Sequence, residues 1–166
     1  MKLKIFLLIL FWALIFFVVG ITTSKAGHYV KCSNEVGKIL VVKSTKTLTI
    51  LDTTGCIIKQ YPVVTGKNKG PKQCDGDKKT PEGVYHIVEK RDSKYVKFLA
   101  LDYPQAKDIK KAKELGCKPG DSIGIHSWIK GLPLDGSLGC IRVMTKKEIL
   151  EINDMVSVGT EVEIRE

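Results

Sequence analysis

From Lys38 onward the chain is a succession of short runs rich in β-branched residues, each stopped by a turn signal, and this pattern restricts the fold more than any other feature. The runs "KILVVKS" and "TLTILDT" flank Thr45-Lys46 and predict a hairpin, with "CIIKQYPVVTG" as its third strand. "GKNKGPKQCDGDKKTPEG" reads as a long loop, too polar to enter the core. "VYHIVEK" and "YVKFLALD" alternate apolar and polar positions and predict a second antiparallel pair, and "DSIGIHS" returns to strand. Two segments break the pattern. In "YPQAKDIKKAKELG", Ala106, Ile109 and Ala112 share one helical face and Gly116 suits the C-terminal cap. "TKKEILEINDMV" opens with Thr145 and Glu148 at capping-box spacing, and "TEVEIRE" closes as a strand with Val162 and Ile164 on one face. No βαβ rhythm and no phosphate-cradling glycine loop occurs, so no nucleotide site is expected. The elements predict a mainly-β domain, a sandwich or barrel with one or two short helices.

At 166 residues there is room for one such domain. Residues 1–26 stand apart from it. Lys2 and Lys4 precede an uninterrupted apolar run from Ile5 to Ile21, and Ser24 and Ala26 suit the small-residue positions of a signal-peptidase cut. The run sits just under the ~18 apolar residues that argue for a spanning helix, so a cleaved secretory leader and a retained membrane anchor both stay open. Either places the remainder outside the cytoplasmic membrane. Residues 27–36, with His28, read as a linker, and 37–166 as the folded domain.

Removing the leader with Lys2, Lys4 and Lys25 lowers the net charge from +9 to +6. The surplus is spread along "KSTK", "GKNKGPK" and "KDIKKAK" with few arginines and no interleaved aromatics, which argues against a nucleic-acid partner and fits a solvated surface near anionic envelope polymers. The five cysteines form no C-x-x-C pair, which removes the main support for zinc or thioredoxin-like sites, and no ligand cluster suggests a metal. In an oxidising compartment four can pair in three ways and leave one over. Cys56, inside a strand pattern, reads as a buried residue or a bridge; Cys140 has the most reactive-looking context.

A cysteine attacks as its thiolate and needs a base within reach, itself held by a third group. Of three histidines, His28 falls in the linker and His86 on the solvent face of a strand; His126 ends the apolar strand "IGIHS". Read alone, His126 is a satisfied core histidine. "GSLGCIRV" changes that reading, because the thiol follows Gly139 and precedes a new strand, where successive backbone N–H groups can face one point. The turn-rich "WIKGLPLDG" between them can fold back and set the Cys140 strand beside the His126 strand.

At this point "IHS…SLGCIRV" resembles the signature of the YkuD-type L,D-transpeptidase catalytic domain, and "KTPEGVYHI" and "LDYPQAKD" are similar to two further segments of that family, over roughly Lys38 to Ile164. The resemblance implies a mostly-β fold and cysteine acyl transfer on peptidoglycan stem peptides, with no cofactor. By position, it implies Cys140 as nucleophile and His126 as general base. It implies that the Ser127 carbonyl orients the imidazole, that the N–H groups around Leu138, Gly139 and Cys140 hold the oxyanion, and that Arg142 holds the site or a substrate carboxylate. A structural ion pair is the competing role for Arg142. Leu138 departs from the pattern, which has a histidine there; its backbone donor survives, and the outcome, cross-linking or hydrolysis, becomes open. The expected protein is an exported monomer that meets the membrane only through an uncleaved leader. The rivals are a hydrolase of the same bonds and a non-catalytic wall-binding module in which Cys140 is structural and disulfide-bonded.

Overall fold

The computed structural model describes residues 31–166; the proposed leader and His28 lie outside the described residues. Within them the β-branched runs become strands β1 (Val36–Val42), β2 (Thr47–Asp52), β3 (Ile57–Val64), β4 (Gly83–Ser93), β5 (Val96–Leu101), β6 (Gly124–Ser127), β7 (Ile141–Val143) and β8 (Glu161–Arg165). Two helices interrupt them, α1 (Ala106–Glu114) and α2 (Lys146–Met155). The strands close into a barrel in the order β1-β2-β3-β7-β6-β5-β4-β8. Closure removes the unpaired edges that an open sheet would expose. The hairpin, its third strand and the β4–β5 pair form as the alternation predicts. The parallel pairs are β1 with β8 and β6 with β7, each needing a long crossover that carries helical or loop structure.

Alternation fills the barrel. Ile39 and Val41, Leu48 and Ile50, Tyr85 and Ile87, Ile125, Ile141 and Ile164 all turn inward with at most 1% of their surface exposed. At about 25 cal/mol per Å² of buried apolar surface, these residues supply the main driving force for folding. Helix α2 starts with the anticipated capping box: the Glu148 N–H donates to Thr145 Oγ1 at 3.2 Å and the Thr145 N–H to Glu148 Oε2 at 2.7 Å. Its Ile149 and Ile152 complete the core.

Two expectations need correction. On α1 only Ala112 is buried; Ala106 and Ile109 face solvent. That helix is held by polar contacts at its start, where the Gln105 N–H donates to Asp108 Oδ2 (2.9 Å) and the Tyr85 hydroxyl to Asp108 Oδ1 (3.1 Å), so it needs no broad apolar stripe. The long polar loop also enters the interior, with Thr80 fully buried and Lys72 only 6% exposed. The Lys72 ammonium is compensated by Asp77 Oδ1 at 2.9 Å and the Cys74 carbonyl at 3.0 Å, as a buried charge must be.

Four cysteines are joined as Cys32–Cys56 and Cys74–Cys117. The first bridge ties the segment before β1 to the start of β3. The second ties the long polar loop to the chain just after α1. No helix among the described residues is long and apolar enough to cross a membrane.

Candidate active site

Strands β6 and β7 are four and three residues long, and every residue in them is buried. Their parallel register pairs Ile125 with Ile141 and His126 with Arg142. One step earlier, Cys140 comes beside Gly124. Odd positions turn into the core, so Gly124, His126, Cys140 and Arg142 share the opposite face. His126 and Cys140 are diagonal neighbours on it, about 8 Å apart at the backbone, a span that an imidazole and a thiol can bridge. Both line a cleft of about 660 Å³.

Gly124 is required between them. A Cβ there would lie 2.6 Å from the Phe98 ring and 2.6 Å from the Leu99 carbonyl oxygen. Gly139 is required as well: it adopts φ +143°, and a Cβ would come within 2.8 Å of Ile123 Cδ1 and 2.9 Å of the Lys79 carbonyl.

Cys140 is the cysteine left free among the described residues. Its Sγ lies 3.4 Å from the Ser122 carbonyl, which accepts the S–H. Burial pushes the thiol pKa up; the Gly124 backbone and the charges of Arg142 and Lys72 pull it back only in part. For His126, burial pushes the pKa down and Arg142 adds to this, against the raising effect of the Ser127 hydrogen bond. Both shifts favour neutral partners, a thiol beside an imidazole, in the resting site.

The imidazole is oriented. His126 Nδ1 lies 2.9 Å from the Ser127 carbonyl oxygen, and a carbonyl can only accept, so Nδ1 carries the proton and Nε2 keeps its lone pair. The Ser127 hydroxyl in turn donates to the Tyr95 carbonyl at 2.7 Å.

The turn before Cys140 is braced from two sides. The Gly139 N–H donates to Ser137 Oγ at 3.0 Å, and Ser137 Oγ donates to the Cys140 carbonyl at 2.6 Å. Thr80 Oγ1 donates to the Gly139 carbonyl (2.8 Å) and accepts from the Gly66 N–H (2.8 Å). The Gly139 amide is therefore engaged inside the turn, which leaves those of Leu138 and Cys140 as oxyanion candidates. The Leu138 side chain is 78% exposed at the mouth of the cleft. Arg142, 2% exposed, forms no ion pair among the described residues; its Nη2 donates to the carbonyls of Pro133 (2.8 Å) and Gly136. It clamps the loop that forms one wall.

The site residues read from the sequence thus converge: Cys140, His126, Ser127, Leu138, Gly139 and Arg142 lie on one cleft or directly behind it. The sequence reading missed Thr80 as a brace, although "KTPEGVYHI" had marked its segment, and missed Tyr95 and Phe98. Tyr85 from that same segment meets Tyr103 of "LDYPQAKD" edge-on, with ring centroids 5.9 Å apart. No trio of metal-ligating side chains lines the cleft among the described residues. The trio found elsewhere, Cys32, Asp52 and Cys56, has its two sulfurs joined in a disulfide.

The family model of the YkuD-type L,D-transpeptidase catalytic domain matches residues 37–164. The chain belongs to that family. Among solved structures, the L,D-transpeptidase domain described here is similar to the helical cell shape determining protein Pgp2 from Campylobacter jejuni, at 26% identity and a TM-score of 0.65 over 79% of this chain and 48% of that one. It is similar to Bd1075 of Bdellovibrio bacteriovorus at 26% identity and a TM-score of 0.60, over 79% and 48%. An L,D-transpeptidase of Enterococcus faecium shares the fold at 18% identity and a TM-score of 0.54, over 79% and 50%. The chain spans about half the length of these relatives. No curated protein sequence matches it significantly.

Proposed function

We propose that the protein is an exported enzyme that opens an L,D-amide bond of a peptidoglycan stem peptide through a Cys140 thioester. The observation that carries the reading is the His126 Nδ1 to Ser127 carbonyl hydrogen bond, which leaves Nε2 as an acceptor on the face that also carries the free Cys140 thiol. Four cysteines consumed in two bridges speak against the wall-binding alternative, which requires Cys140 to be bridged.

In the reaction, Nε2 takes the Cys140 proton as the sulfur attacks the substrate carbonyl carbon. The resulting oxyanion is held by the amides of Cys140 and Leu138. As the intermediate collapses, the imidazolium returns the proton to the departing amine, and a thioester remains. An acceptor amine then attacks the thioester carbonyl, gives its proton to Nε2, and displaces the sulfur, which regains a proton from the imidazolium. Water in the acceptor's place gives a free carboxylic acid. Because thiol and imidazole are both neutral at rest, proton transfer accompanies substrate attack. Lys78 and Lys94 at the cleft, beside Lys67 and Arg91 that are paired with Asp135 and Glu89, suit a substrate bearing carboxylates.

Transpeptidation is the favoured outcome. Hydrolysis is the second reading, favoured by the exposed Leu138, which supplies no polar side chain to order an acceptor. Export, by the leader at residues 1–26, follows from the substrate's location.

The test is mass spectrometry of the intact protein after exposure to a carbapenem, a thiol acylator, followed by incubation with purified muropeptides. The expected result is an adduct at Cys140 that His126→Ala abolishes, together with a trimmed or cross-linked product. An intact thiol with no adduct and no product sinks the proposal. Supplying a free D-amino acid separates the outcomes, since only a transferase incorporates it.

A further inference from the structure

Tyr95 belongs to no motif, yet it meets the His126–Ser127 pair twice. Its ring stacks on the imidazole with centroids 4.2 Å apart and an interplanar angle of 30°. Its carbonyl accepts the Ser127 hydroxyl at 2.7 Å, and the Ser127 carbonyl is what fixes the His126 tautomer. The residue sits in the β4–β5 turn, where the Tyr95 N–H donates to Ser93 Oγ (3.1 Å) and the Lys97 N–H to the Tyr95 carbonyl (3.1 Å). The next residue, Val96, is held at φ +74°, a left-handed conformation that a β-branched side chain resists. Strain of that kind persists only where surrounding contacts over-determine the backbone, and it clusters at functional sites. The same hairpin supplies Phe98, stacked on His126 at 5.9 Å.

We propose that Tyr95 is a positioning residue for His126: its ring packs against the imidazole and its carbonyl anchors Ser127, so that Nε2 keeps one direction, toward the Cys140 side of the cleft. The proposal rests on the acyl-transfer reading above for its catalytic consequence, though not for its structural one. An imidazole fixed only through Nδ1 could still swing about that hydrogen bond; a ring packed against it removes that freedom. Reacting groups misplaced by about 1 Å lose on the order of 100-fold in rate.

The charged and titratable groups lining the cleft with this imidazole are Arg142 in register on β7, Cys140 beside it, Arg91, Lys94 and Tyr95 on the hairpin, and Lys67, Lys78 and Asp135 from the facing loops. Arg91 lies 4.6 Å from the Phe98 ring centroid and Lys94 Nζ 5.2 Å from that of Tyr95. The carboxylate among them, Asp135, is paired with Lys67, so burial first and the Arg142 charge after it favour the neutral imidazole against the Ser127 hydrogen bond. Removing the Tyr95 ring would admit water to an imidazole that is now buried.

The experiment is NMR titration of His126 in the full chain, assigned with a His126→Gln variant, in the wild type, Tyr95→Phe, Tyr95→Ala and Tyr95→Leu. Muropeptide turnover is measured alongside. The wild type and Tyr95→Phe should titrate below 6.5 and show one tautomer, with the proton on Nδ1. Tyr95→Ala should titrate closer to 6.5, show mixed tautomers, and lose about 10–100-fold in kcat with a smaller change in KM. Tyr95→Leu, which refills the volume without a planar ring, serves where Tyr95→Ala does not fold and should also mix tautomers. Wild-type tautomer and titration in both the Ala and Leu variants overturn the proposal. Absent turnover in the wild type, by contrast, overturns only the acyl-transfer reading, and the imidazole spectrum still decides the role of Tyr95.

Discussion

On the β1–β2–β8 side of the barrel the inward residues are Ile39, Val41, Leu48, Ile50, Val162 and Ile164, all essentially sealed from water. On the β6–β7 side the buried set includes His126, Ser127 and Arg142, with Ser137 and Thr80 packed behind. The first side is held by non-directional apolar packing along strands of five to seven residues. The second rests on short strands and on directed hydrogen bonds from loops: Thr80 to Gly139, Ser137 to Cys140, and Arg142 to Pro133 and Gly136. Buried polar groups cost stability unless each is matched. Here they are matched by one another, with Arg142 Nε left without a partner. The contrast teaches that the apolar side carries stability while the polar side spends some of it on a shaped site.

The sharpest way to break the comparison is to exchange the consequences of mutation between the two sides. Cys140→Ala should abolish muropeptide turnover, by at least ~10³-fold, since removal of the proposed nucleophile leaves only residual binding catalysis. Its melting temperature should stay close to that of the wild type. Ile50→Ala should do the reverse, costing about 2–5 kcal/mol in denaturant unfolding while the folded fraction keeps its turnover. Equal stability losses in the two variants would erase the distinction.

Next in size is the Cys74–Cys117 bridge, whose 43-residue separation gives a chain-entropy stabilisation of about 4 kcal/mol. It joins the two loops that touch the Cys140 turn, one through Lys79 and Thr80, the other through Ser122. Replacing both cysteines by alanine should lower stability by about 2–4 kcal/mol and, where the protein remains folded, lower turnover further. Unchanged turnover per folded molecule would show that the bridge serves the barrel alone.

Thr80→Val keeps the shape and deletes both hydrogen bonds of the hydroxyl, leaving the Gly66 N–H and the Gly139 carbonyl unpartnered. The expected cost is about 1–3 kcal/mol, with a fall in kcat, read by unfolding and by turnover.

The smallest effect is on pH dependence. His126 titrates below 6.5 because burial disfavours its charged form, so it stays an available base as pH falls through 6.5. Cys140 titrates above 9.0 because burial disfavours the thiolate. The acid limb of kcat/KM should therefore lie below pH 6.5, and alkylation of the free enzyme by iodoacetamide should be slow at pH 7. A fast alkylation at pH 7 would reveal a resting thiolate–imidazolium pair instead.

Much of this was legible in the amino-acid order. The strand runs and the Thr145–Glu148 cap were read because period-2 alternation and capping depend on residues a few positions apart. The odd count of five flagged one thiol as left over, and Cys140 was singled out by its place directly after Gly139 and before a new strand. Ile109 on α1 misled for the same local reason: its spacing was helical and apolar, but the helix is anchored through Asp108 and Tyr85, the latter on a strand 23 residues earlier. The polar loop misled because pairing between Lys72 and Asp77 pays for burial that composition alone forbids. Tyr95 read only as the first residue of a strand run, whereas it sits in the turn before β5, and nothing in its local pattern pointed to His126.

What the sequence by itself determined is the inventory: which segments extend, which coil, and which thiol and imidazole are available for chemistry, since these depend on side-chain type and short-range period. What only the tertiary structure decided is apposition. The β6–β7 register that sets Cys140 diagonal to His126, the hairpin that lays Tyr95 on the imidazole, and the bridge that ties two loops behind the thiol all join residues distant in the chain. Such contacts are fixed by closure of the barrel as a whole, because each strand's position depends on the neighbours it pairs with on both sides.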